Sequence, residues 1–362
     1  MKVCLYLEAE NVVARSGFRT AFAQHLRALE RVGVPVTTDP TDAFDILHLH
    51  WFGPRSLYYL KRAKQNNKIV IAHAHSIGSY DFKDSFTLSN TFAPLYEKYL
   101  TYFYELSDAI FTPSEHAKTL LQAQGISRPI YVVSNGVDLE KFRFDAQARQ
   151  QYRRRFGLKR FTVFSAGNLI PRKGVLDFLE VARKLPQFDF IWFGQAWGRL
   201  LAFDSEMHQA LDERSPNVKL PGFIEETPGA FSAGDLLFYP SYGETHGLVL
   251  FEAAALQRPL VLRDLPEYTA AGWRDGENCM KGKTIDEFCE IIERLAQDEP
   301  LRARLARAAR SLAEANSLDR VGHQLYQLYR ELLKPNPPGP LPGAGRGSSP
   351  PHAGEGLGER SG

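Results

Sequence analysis

The feature that most constrains the fold is a regular alternation of short apolar runs with amphipathic helical patterns in the first third of the chain. Gly17–Val32 shows the helical pattern, because its apolar residues recur every three or four positions. This alternation is typical of an open parallel sheet covered by helices. The predicted strands of this part are Lys2–Leu7, Asp45–His50, Lys68–Ala74, Ala109–Thr112 and Tyr131–Val133.

The alternation restarts after the segment Ser134–Asp138, in which Asn-Gly is a strong turn signal. New strands are predicted at Phe161–Ala166, Asp189–Phe193, Leu236–Tyr239 and Pro259–Leu262. The helices of this half are predicted at Val175–Leu185, Gly247–Leu256, Ile285–Gln297 and Leu301–Asn316. We therefore predict an α/β protein with two doubly wound, Rossmann-like domains that face a central cleft, where such sheets bind their ligands.

The predicted domains span residues 1–134 and 135–319, and we expect the helix at 320–334 to cross back to the first domain. Residues 335–362 are rich in Pro, Gly and Ser and contain almost no large apolar residues. Such a tail cannot bury enough apolar surface to offset its ordering entropy. We predict that it is disordered and has no role in catalysis.

Composition excludes several classes of protein. The chain has 362 residues, of which 44% are hydrophobic, and its formal net charge is +2. This charge argues against nucleic-acid binding, and three Cys without metal spacing argue against a disulfide framework and fit a reducing compartment. We recognise no signal peptide and no run of the ~20 apolar residues that a membrane span needs. We expect a cytoplasmic protein that at most lies on a membrane surface, and the sequence does not predict its oligomeric state.

The segment Glu244–Glu252 has two carboxylates eight positions apart around a glycine, and it follows a predicted strand. A helix that begins near Gly247 offers unpaired backbone N–H groups and the positive end of its macrodipole, which suit a phosphate. Glu244 would precede this helix, and Glu252 would lie about a turn and a half inside it. The segment is therefore suited to contact a phosphate, the group beyond it and a sugar hydroxyl together.

Further phosphate-binding candidates lie in two loops. Arg172 and Lys173 belong to the loop that starts at Asn168, and they offer a planar fork and a point charge to a phosphate. A solvated basic turn is the alternative, but the Gly247 helix is expected at the same sheet edge, so we favour a diphosphate site. Gly17, after the first strand, would let a phosphate approach closely or would simply start a helix.

Four histidines stand at the ends of two predicted strands, in His48-Leu-His50 and His73-Ala-His75. A metal site is one interpretation, but no Cys or carboxylate completes a recognisable ligand spacing. We favour a polar active-site edge without a metal. His75 would then point into the cleft, and His73 would pack within the sheet.

A basic segment predicts contact with a membrane. Arg55–Lys68 contains five cations and no acidic residue, and it follows the aromatic Trp51. Lys61, Lys64 and Lys68 are predicted on one helical face, a pattern that suits an anionic bilayer. A solvated basic helix is the alternative interpretation.

An aromatic segment, Tyr80–Tyr104, predicts an acceptor pocket. Most of its aromatic residues at helical spacing are assigned to the core: Phe92, Tyr96, Tyr99 and Phe103. Asp81, Phe82 and Phe86 fall in a predicted loop after the histidines. We expect these three residues to border an apolar acceptor pocket.

Three motifs together resemble the family 4 retaining glycosyltransferases of the GT-B fold: Glu244–Glu252, Arg172–Gly174 and Asn135–Asp138. The resemblance covers residues 1–333. Within that family, His73–Ser76 and Ile191–Gly194 are similar to segments of the bacterial diacylglycerol glucosyltransferases. Those enzymes make α-glucosyl-diacylglycerol at the cytoplasmic face of the membrane.

The resemblance implies a role for each matching residue. Glu244 matches a glutamate near the transferred sugar, and Glu252 matches one that bonds the ribose. Lys173 matches a lysine on the diphosphate, and His75 matches a histidine beside the sugar 6-hydroxyl. Many members have Arg where Asn168 stands here and a glycine pair where this chain has Ser16-Gly17. The implied catalytic and donor-binding residues are His75, Arg172, Lys173, Glu244, Gly17, Asn168, His246, Gly247, Leu248, Val249 and Glu252.

The resemblance also implies a reaction. A hexose, glucose, would move from UDP-glucose to 1,2-diacylglycerol with retention of configuration, and neither a metal nor a cofactor would be required. The expected partners are the nucleotide sugar, the lipid and an anionic membrane, at whose inner face the protein would be peripheral. Alternatives are a soluble or polysaccharide acceptor, a nucleotide-sugar epimerase on the same fold, and a non-catalytic sensor of sugar nucleotides.

Overall fold

The computed structural model describes residues 1–8, 17–82, 89–195 and 205–334. They form two α/β domains, each built on a six-stranded parallel sheet. Phe86 and the predicted tail at 335–362 lie outside the described residues, as does the side chain of Asp81. The prediction of two doubly wound domains is confirmed.

The first sheet has the strand order β2-β1-β3-β4-β5-β6. Its strands are β1 (Val3–Tyr6), β2 (Val36–Thr37), β3 (Ile46–Leu49), β4 (Ile69–His73), β5 (Ala109–Thr112) and β6 (Ile130–Val132). The helices of this domain are α1 (Gly17–Arg31), α2 (Pro54–Gln65), α3 (Ser79–Phe82), α4 (Ser89–Glu105) and α5 (Glu115–Ala123). The order reverses at β1, which pairs with both β2 and β3, so a crevice forms at the carboxyl ends of β1 and β3.

The second sheet has the strand order β12-β11-β10-β7-β8-β9. Its strands are β7 (Thr162–Ala166), β8 (Asp189–Phe193), β9 (Val218–Gly222), β10 (Leu236–Tyr239), β11 (Leu260–Arg263) and β12 (Met280–Gly282). The helices are α6 (Ala146–Phe156), a 3₁₀ turn (Pro171–Lys173), α7 (Val175–Lys184), α8 (Ser205–Asp212), α9 (Thr227–Ser232), α10 (Leu248–Ala255), α11 (Pro266–Ala270), α12 (Ile285–Gln297), α13 (Glu299–Ala315) and α14 (Leu318–Leu332). Here the order reverses between β7 and β10, which places a second crevice at their carboxyl ends.

The apolar composition of the central strands follows from their position in the sheet. Both faces of a doubly wound sheet are covered by helices, so its strands are near-continuous apolar runs rather than alternating ones. The residues of β3, β5, β7, β8, β10 and β11 are all buried. Three strands that the sequence did not predict, β2, β9 and β12, lie at sheet edges. They are short or carry exposed residues such as Lys219, which weakens the apolar signal.

The last helix, α14, packs on α1 of the first domain. Leu318, Val321, Leu325 and Tyr329 enter the apolar core of that domain. Gly322 allows the close approach, because a Cβ there would collide with the Ala28 carbonyl. The chain therefore passes between the domains twice, and the two passages meet in a parallel bridge between Val137 and Ser317.

Candidate active site

Two loops at the carboxyl edge of the second sheet lie side by side, because the strands before them, β7 and β10, are parallel neighbours. Gly174 ends the 3₁₀ turn at φ +72°, and a Cβ there would collide with the Pro240 carbonyl of the other loop. Arg172 joins the loops, because its Nη1 donates to the Gly243 carbonyl at 2.8 Å. Asn168, earlier in the first loop, is half-buried.

Glu244 is the centre of this contact and is only 7% exposed. One of its carboxylate oxygens forms an ion pair with Lys173 and accepts from the hydroxyls of Tyr239 at 2.8 Å and Ser241 at 2.9 Å. Burial opposes its ionisation, but the charges of Lys173 and Arg172 outweigh that effect and hold the pKa of Glu244 below its usual value. The cleft thus holds an ionised carboxylate in contact with a cation.

The start of α10 faces the start of α1 across the cleft. Gly247 precedes α10 with φ +70°, a conformation that glycine adopts without strain. The amide of Leu250 donates to the Gly247 carbonyl at 2.9 Å, so the N–H groups of Leu248 and Val249 precede the first intrahelical bond. Gly17 begins α1, and a Cβ on it would lie 3.8 Å from Leu248 Cδ1. A phosphate between the domains would meet both helix starts.

The inner face of α10 is buried and carries Glu252, which is 7% exposed. Burial raises the pKa of Glu252 to about 7, although the charge of Lys141 acts against this rise. One residue earlier, Phe251 stacks on the His246 ring with centroids 4.7 Å apart. The Nε2 atom of His246 lies 3.1 Å from Ser134 Oγ at the end of the first domain. The helix is thereby tied to the junction of the two domains.

His75 stands at the cleft side of the first sheet, just after β4, and is half-buried. Its Nε2 lies 2.9 Å from His50 Nδ1, and its ring packs against Phe18 at a centroid separation of 5.5 Å. His73, two residues earlier, is buried within the sheet. Burial lowers the pKa of His75, so the ring is neutral near pH 7.

A series of aromatic rings, which we call the aromatic row, leads from His75 to α4. It consists of Phe18, Trp51, Phe52, Tyr96 and Phe82. Successive ring centroids are 4.9, 4.6, 5.6 and 4.2 Å apart. The predicted acceptor-side residues Trp51 and Phe82 are therefore joined to the cleft histidine through aromatic contacts.

Beyond the aromatic row, α4 presents apolar side chains to solvent. Phe92, Leu95 and Tyr102 are 52%, 68% and 48% exposed. Their spacing places them on one side of the helix, and we call them the α4 stripe. The prediction that most of the series Phe92, Tyr96, Tyr99 and Phe103 lies in the core agrees with the structure: Phe103 is buried, Tyr96 and Tyr99 pack against the same cluster, and Phe92 is the exposed exception. Single exposed apolar residues are ordinary, whereas a row of three marks a contact surface.

The basic segment differs from its prediction at one position. The helix α2 ends at Gln65, and Asn67 adopts φ 54°, so Lys68 lies beyond the helix and not on a face with Lys61 and Lys64. Lys64 forms an ion pair with Asp108. The exposed cations of α2 are Arg55, Lys61, Arg62 and Lys64. None of the helices in the described ranges is long and apolar enough to cross a membrane.

Hydrogen bonds between the domains were missed by the sequence analysis. The Tyr80 hydroxyl donates to Glu267 Oε1 at 2.8 Å, and Ser114 Oγ donates to the Thr245 carbonyl at 2.6 Å. These pairs join residues more than 100 positions apart, and no local pattern signals such a pairing. The first bond holds α3 of the first domain against α11, and the second holds the start of α5 against the loop that carries Glu244.

Comparison with known proteins identifies the family. Residues 13–141 match the family model Glycosyltransferase Family 4, and residues 160–298 match Glycosyl transferases group 1. A processive diacylglycerol alpha-glucosyltransferase from Acholeplasma laidlawii is 33% identical over 342 residues, which make up 92% of this chain and 99% of that protein. The chain belongs to the family 4 retaining glycosyltransferases. The resemblance seen in the sequence is confirmed.

One further relative and two solved structures are also similar to this glycosyltransferase. An alpha-galactosylglucosyldiacylglycerol synthase from Streptococcus pneumoniae is 28% identical over 72% of each chain. The structure of Anabaena Alr3699/HepE in complex with UDP-glucose aligns with a TM-score of 0.74 and 17% identity, covering 91% of this chain and 100% of that one. Sucrose-phosphate synthase from Thermosynechococcus elongatus aligns with a TM-score of 0.77 and 17% identity, covering 92% of this chain and 99% of that one. These structures confirm the predicted GT-B fold.

The cleft of this glycosyltransferase is suited to a leaving group that gains negative charge. Lys173, Arg172 and the start of α10 lie at one edge of the sheet, and the ion pair and hydrogen bonds of the two loops fix their positions. Charged groups and dipoles that are already in place stabilise developing charge without reorganisation.

Proposed function

We propose that this glycosyltransferase transfers glucose from UDP-glucose to 1,2-diacylglycerol and retains the anomeric configuration. The observation that carries the proposal is the aromatic row, which leads from His75 in the cleft to Tyr96 of α4, the helix that carries the exposed α4 stripe. An apolar path between a sugar-transfer site and the protein surface suits an acceptor whose hydroxyl enters the cleft while its acyl chains stay outside. The names of the two glycolipid-synthesising relatives support this acceptor class.

On the donor side, we assign the diphosphate to Lys173, Arg172 and the backbone at Gly247, Leu248 and Val249. The cations and the helix start would share the charge that grows on the departing diphosphate, with no metal ion there. Gly17 and Asn168 border the same space from the two domains. Glu252, buried in the second turn of α10, is assigned to the ribose hydroxyls.

The sugar is assigned to the space between Glu244 and His75. An ionised Glu244 accepts hydrogen bonds from sugar hydroxyls and stabilises positive charge that develops at the anomeric carbon. A neutral His75 donates one N–H, which suits the sugar 6-hydroxyl. We assign no covalent step to either residue, and we assign the acceptor's proton to the departing phosphate.

The lipid would be reached at a membrane surface. Arg55, Lys61 and Arg62 on α2 supply positive charge, and the α4 stripe supplies apolar area. Cations attract anionic headgroups, and apolar side chains enter the boundary with the acyl chains. We propose peripheral binding to an anionic bilayer, at the cytoplasmic face of the membrane.

A panel of reactions tests the proposal. The purified enzyme is incubated with UDP-glucose or UDP-galactose and with diacylglycerol, glucosyl-diacylglycerol or soluble sugars, and the products are identified by mass and anomeric configuration. We expect α-glucosyl-diacylglycerol from the first donor and the first acceptor. Product on soluble sugars alone would overturn the lipid assignment, and epimerised donor in the absence of any acceptor would favour an epimerase.

A further inference from the structure

Beneath the sugar site, the first domain contains a cluster of three buried histidines from three different elements. His25 of α1, His50 after β3 and His73 of β4 are 0%, 0% and 3% exposed. Their ring centroids are 4.8 to 5.2 Å apart. One ring nitrogen from each lies within 4.8 Å of one from each of the others. Because His25 is far from the other two histidines in the sequence, local spacing does not indicate this cluster.

Among the residues that the structure describes, each of the three rings has one buried nitrogen without a hydrogen-bond partner: His25 Nδ1, His50 Nε2 and His73 Nε2. Buried polar atoms in proteins almost always have a partner, so three such nitrogens in one place are unusual. These three nitrogens differ from the other nitrogen of each ring, which has a hydrogen-bond partner such as Ser134 or His75. The three nitrogens without partners are therefore the ones that are free to bind a ligand.

The other nitrogen of each ring lies within hydrogen-bond distance of a partner. His25 Nε2 lies 3.0 Å from the Ser134 carbonyl, which accepts only, so the proton of neutral His25 is on Nε2. His50 Nδ1 lies 2.9 Å from His75 Nε2. His73 Nδ1 lies 3.2 Å from His48 Nε2, and a proton on each outward nitrogen leaves a lone pair on the inward one. Metal-binding histidines have this arrangement, in which the second ring N–H is held by a carbonyl or another acceptor.

We propose that His25, His50 and His73 bind one divalent transition-metal ion, Zn²⁺ by preference, at a structural site inside the first domain. Imidazole nitrogens suit Zn²⁺ and its neighbours in the first transition row, and three histidines are a known ligand set for zinc. Coordination at ~2.0–2.1 Å requires the three nitrogens to move closer together than 4.8 Å. This proposal replaces the metal-free interpretation of the histidines and is independent of the proposed donor and acceptor.

Such an ion would join α1 to β3 and β4. Gly17 begins α1, and His75 follows β4, so the ion would fix these two parts of the first domain's side of the cleft relative to each other. With the ion on Nε2 of His50, the proton of that ring would lie on Nδ1, and Nε2 of His75 would accept it, which would place the proton of neutral His75 on its Nδ1. His50 is thus a positioning residue for His75.

Metal analysis of the full-length protein, produced without an affinity tag, tests the site. Elemental analysis after gel filtration is expected to give close to one equivalent of zinc per chain. Protein produced with Co²⁺ in place of zinc is expected to show the visible absorption bands of cobalt bound by histidines. His25→Gln and His73→Gln are expected to retain at least ~10-fold less metal. The control His323→Gln changes an exposed histidine on α14 and should retain the wild-type amount.

The rival occupant is a single buried water molecule, for which three nitrogen partners are also sufficient. Wild-type protein that contains only trace metal, even after refolding with Zn²⁺ or Co²⁺, would overturn the proposal in favour of that water. If the glutamine variants do not fold, the measurements on the wild-type protein alone decide whether the site binds metal. Bound metal then raises the unfolding temperature relative to chelator-treated protein, and an unchanged temperature together with trace metal rejects the site.

Discussion

Lys173 and Glu244 form an ion pair in the cleft, although 71 positions separate them in the chain. The side chains are only 15% and 9% exposed, so little solvent screens the pair. It exists because β7 and β10 are neighbours and because Gly174 lets their loops approach. The cation that the proposed reaction needs at the diphosphate is therefore held in position before the donor binds.

Replacing Lys173 with Ala should lower kcat/KM by at least ~10²-fold, the effect of losing one group that stabilises developing charge. Steady-state kinetics with the nucleotide sugar measures the change. Lys184→Ala is the control, because that lysine is an exposed residue of α7 that pairs with Asp286 of α12 and not with Glu244. A folded Lys173→Ala enzyme with normal turnover would refute the diphosphate assignment.

Tyr80→Phe should weaken the contact between the domains. It removes the hydrogen bond to Glu267, and a hydrogen bond of this kind is worth about 1 kcal/mol, or roughly 2- to 10-fold in kcat/KM. Small-angle scattering with and without nucleotide measures closure independently of turnover. Tyr58→Phe, which changes an exposed hydroxyl on α2, serves as the control. Equal kinetics and equal scattering for the two variants would show that the Tyr80 bond does not support closure.

Glu252→Gln should change how stability depends on pH. The pKa of Glu252 is raised from 4.5 to about 7, so its contribution to stability is present below 4.5 and is lost as the pH rises through 7. Gln is neutral throughout, so without donor the variant should be more stable than wild type by about 3 kcal/mol at pH 8 and close to it near pH 4.5. Denaturant unfolding at the two pH values measures the difference.

The control for this prediction is Glu290→Gln, because Glu290 is an exposed carboxylate on α12. Its unfolding free energy should follow that of the wild type at both pH values. A Glu252→Gln effect that is the same at pH 8 and pH 4.5 would contradict the raised pKa.

Leu95→Asp should reduce binding to anionic vesicles by about 10-fold, since it replaces apolar area with a charge that the bilayer repels. Sedimentation with phosphatidylglycerol vesicles at low salt measures binding. Leu333→Asp makes the same substitution at an exposed leucine near the end of α14 and should bind like wild type. Equal losses in both variants would mean that charge alone, and not the α4 stripe, controls binding.

Much of the fold could be predicted because its signals are local. The apolar runs of β3, β5 and β10 are buried on both faces, and Gly247 precedes α10 as the pattern indicated. The end of α2 was misplaced, although two consecutive asparagines, the second at φ 54°, mark it.

The parts of the site that depend on packing could not be predicted. His25 meets His50 and His73 only after α1 folds onto the sheet, and Tyr80 meets Glu267 only after the domains associate. Such contacts have no fixed spacing in sequence. The roles of individual cleft residues stay predictions until the variants above are measured.

The passage of α14 back to the first domain affects how the protein is made. Leu318, Val321, Leu325 and Tyr329 complete a core that otherwise consists of residues from the first part of the chain, and Tyr329 Oη lies 2.7 Å from His48 Nδ1. During synthesis, this core lacks α14 until the second domain and then α14 itself have been made. The domain that is synthesised first is therefore the last to be completed.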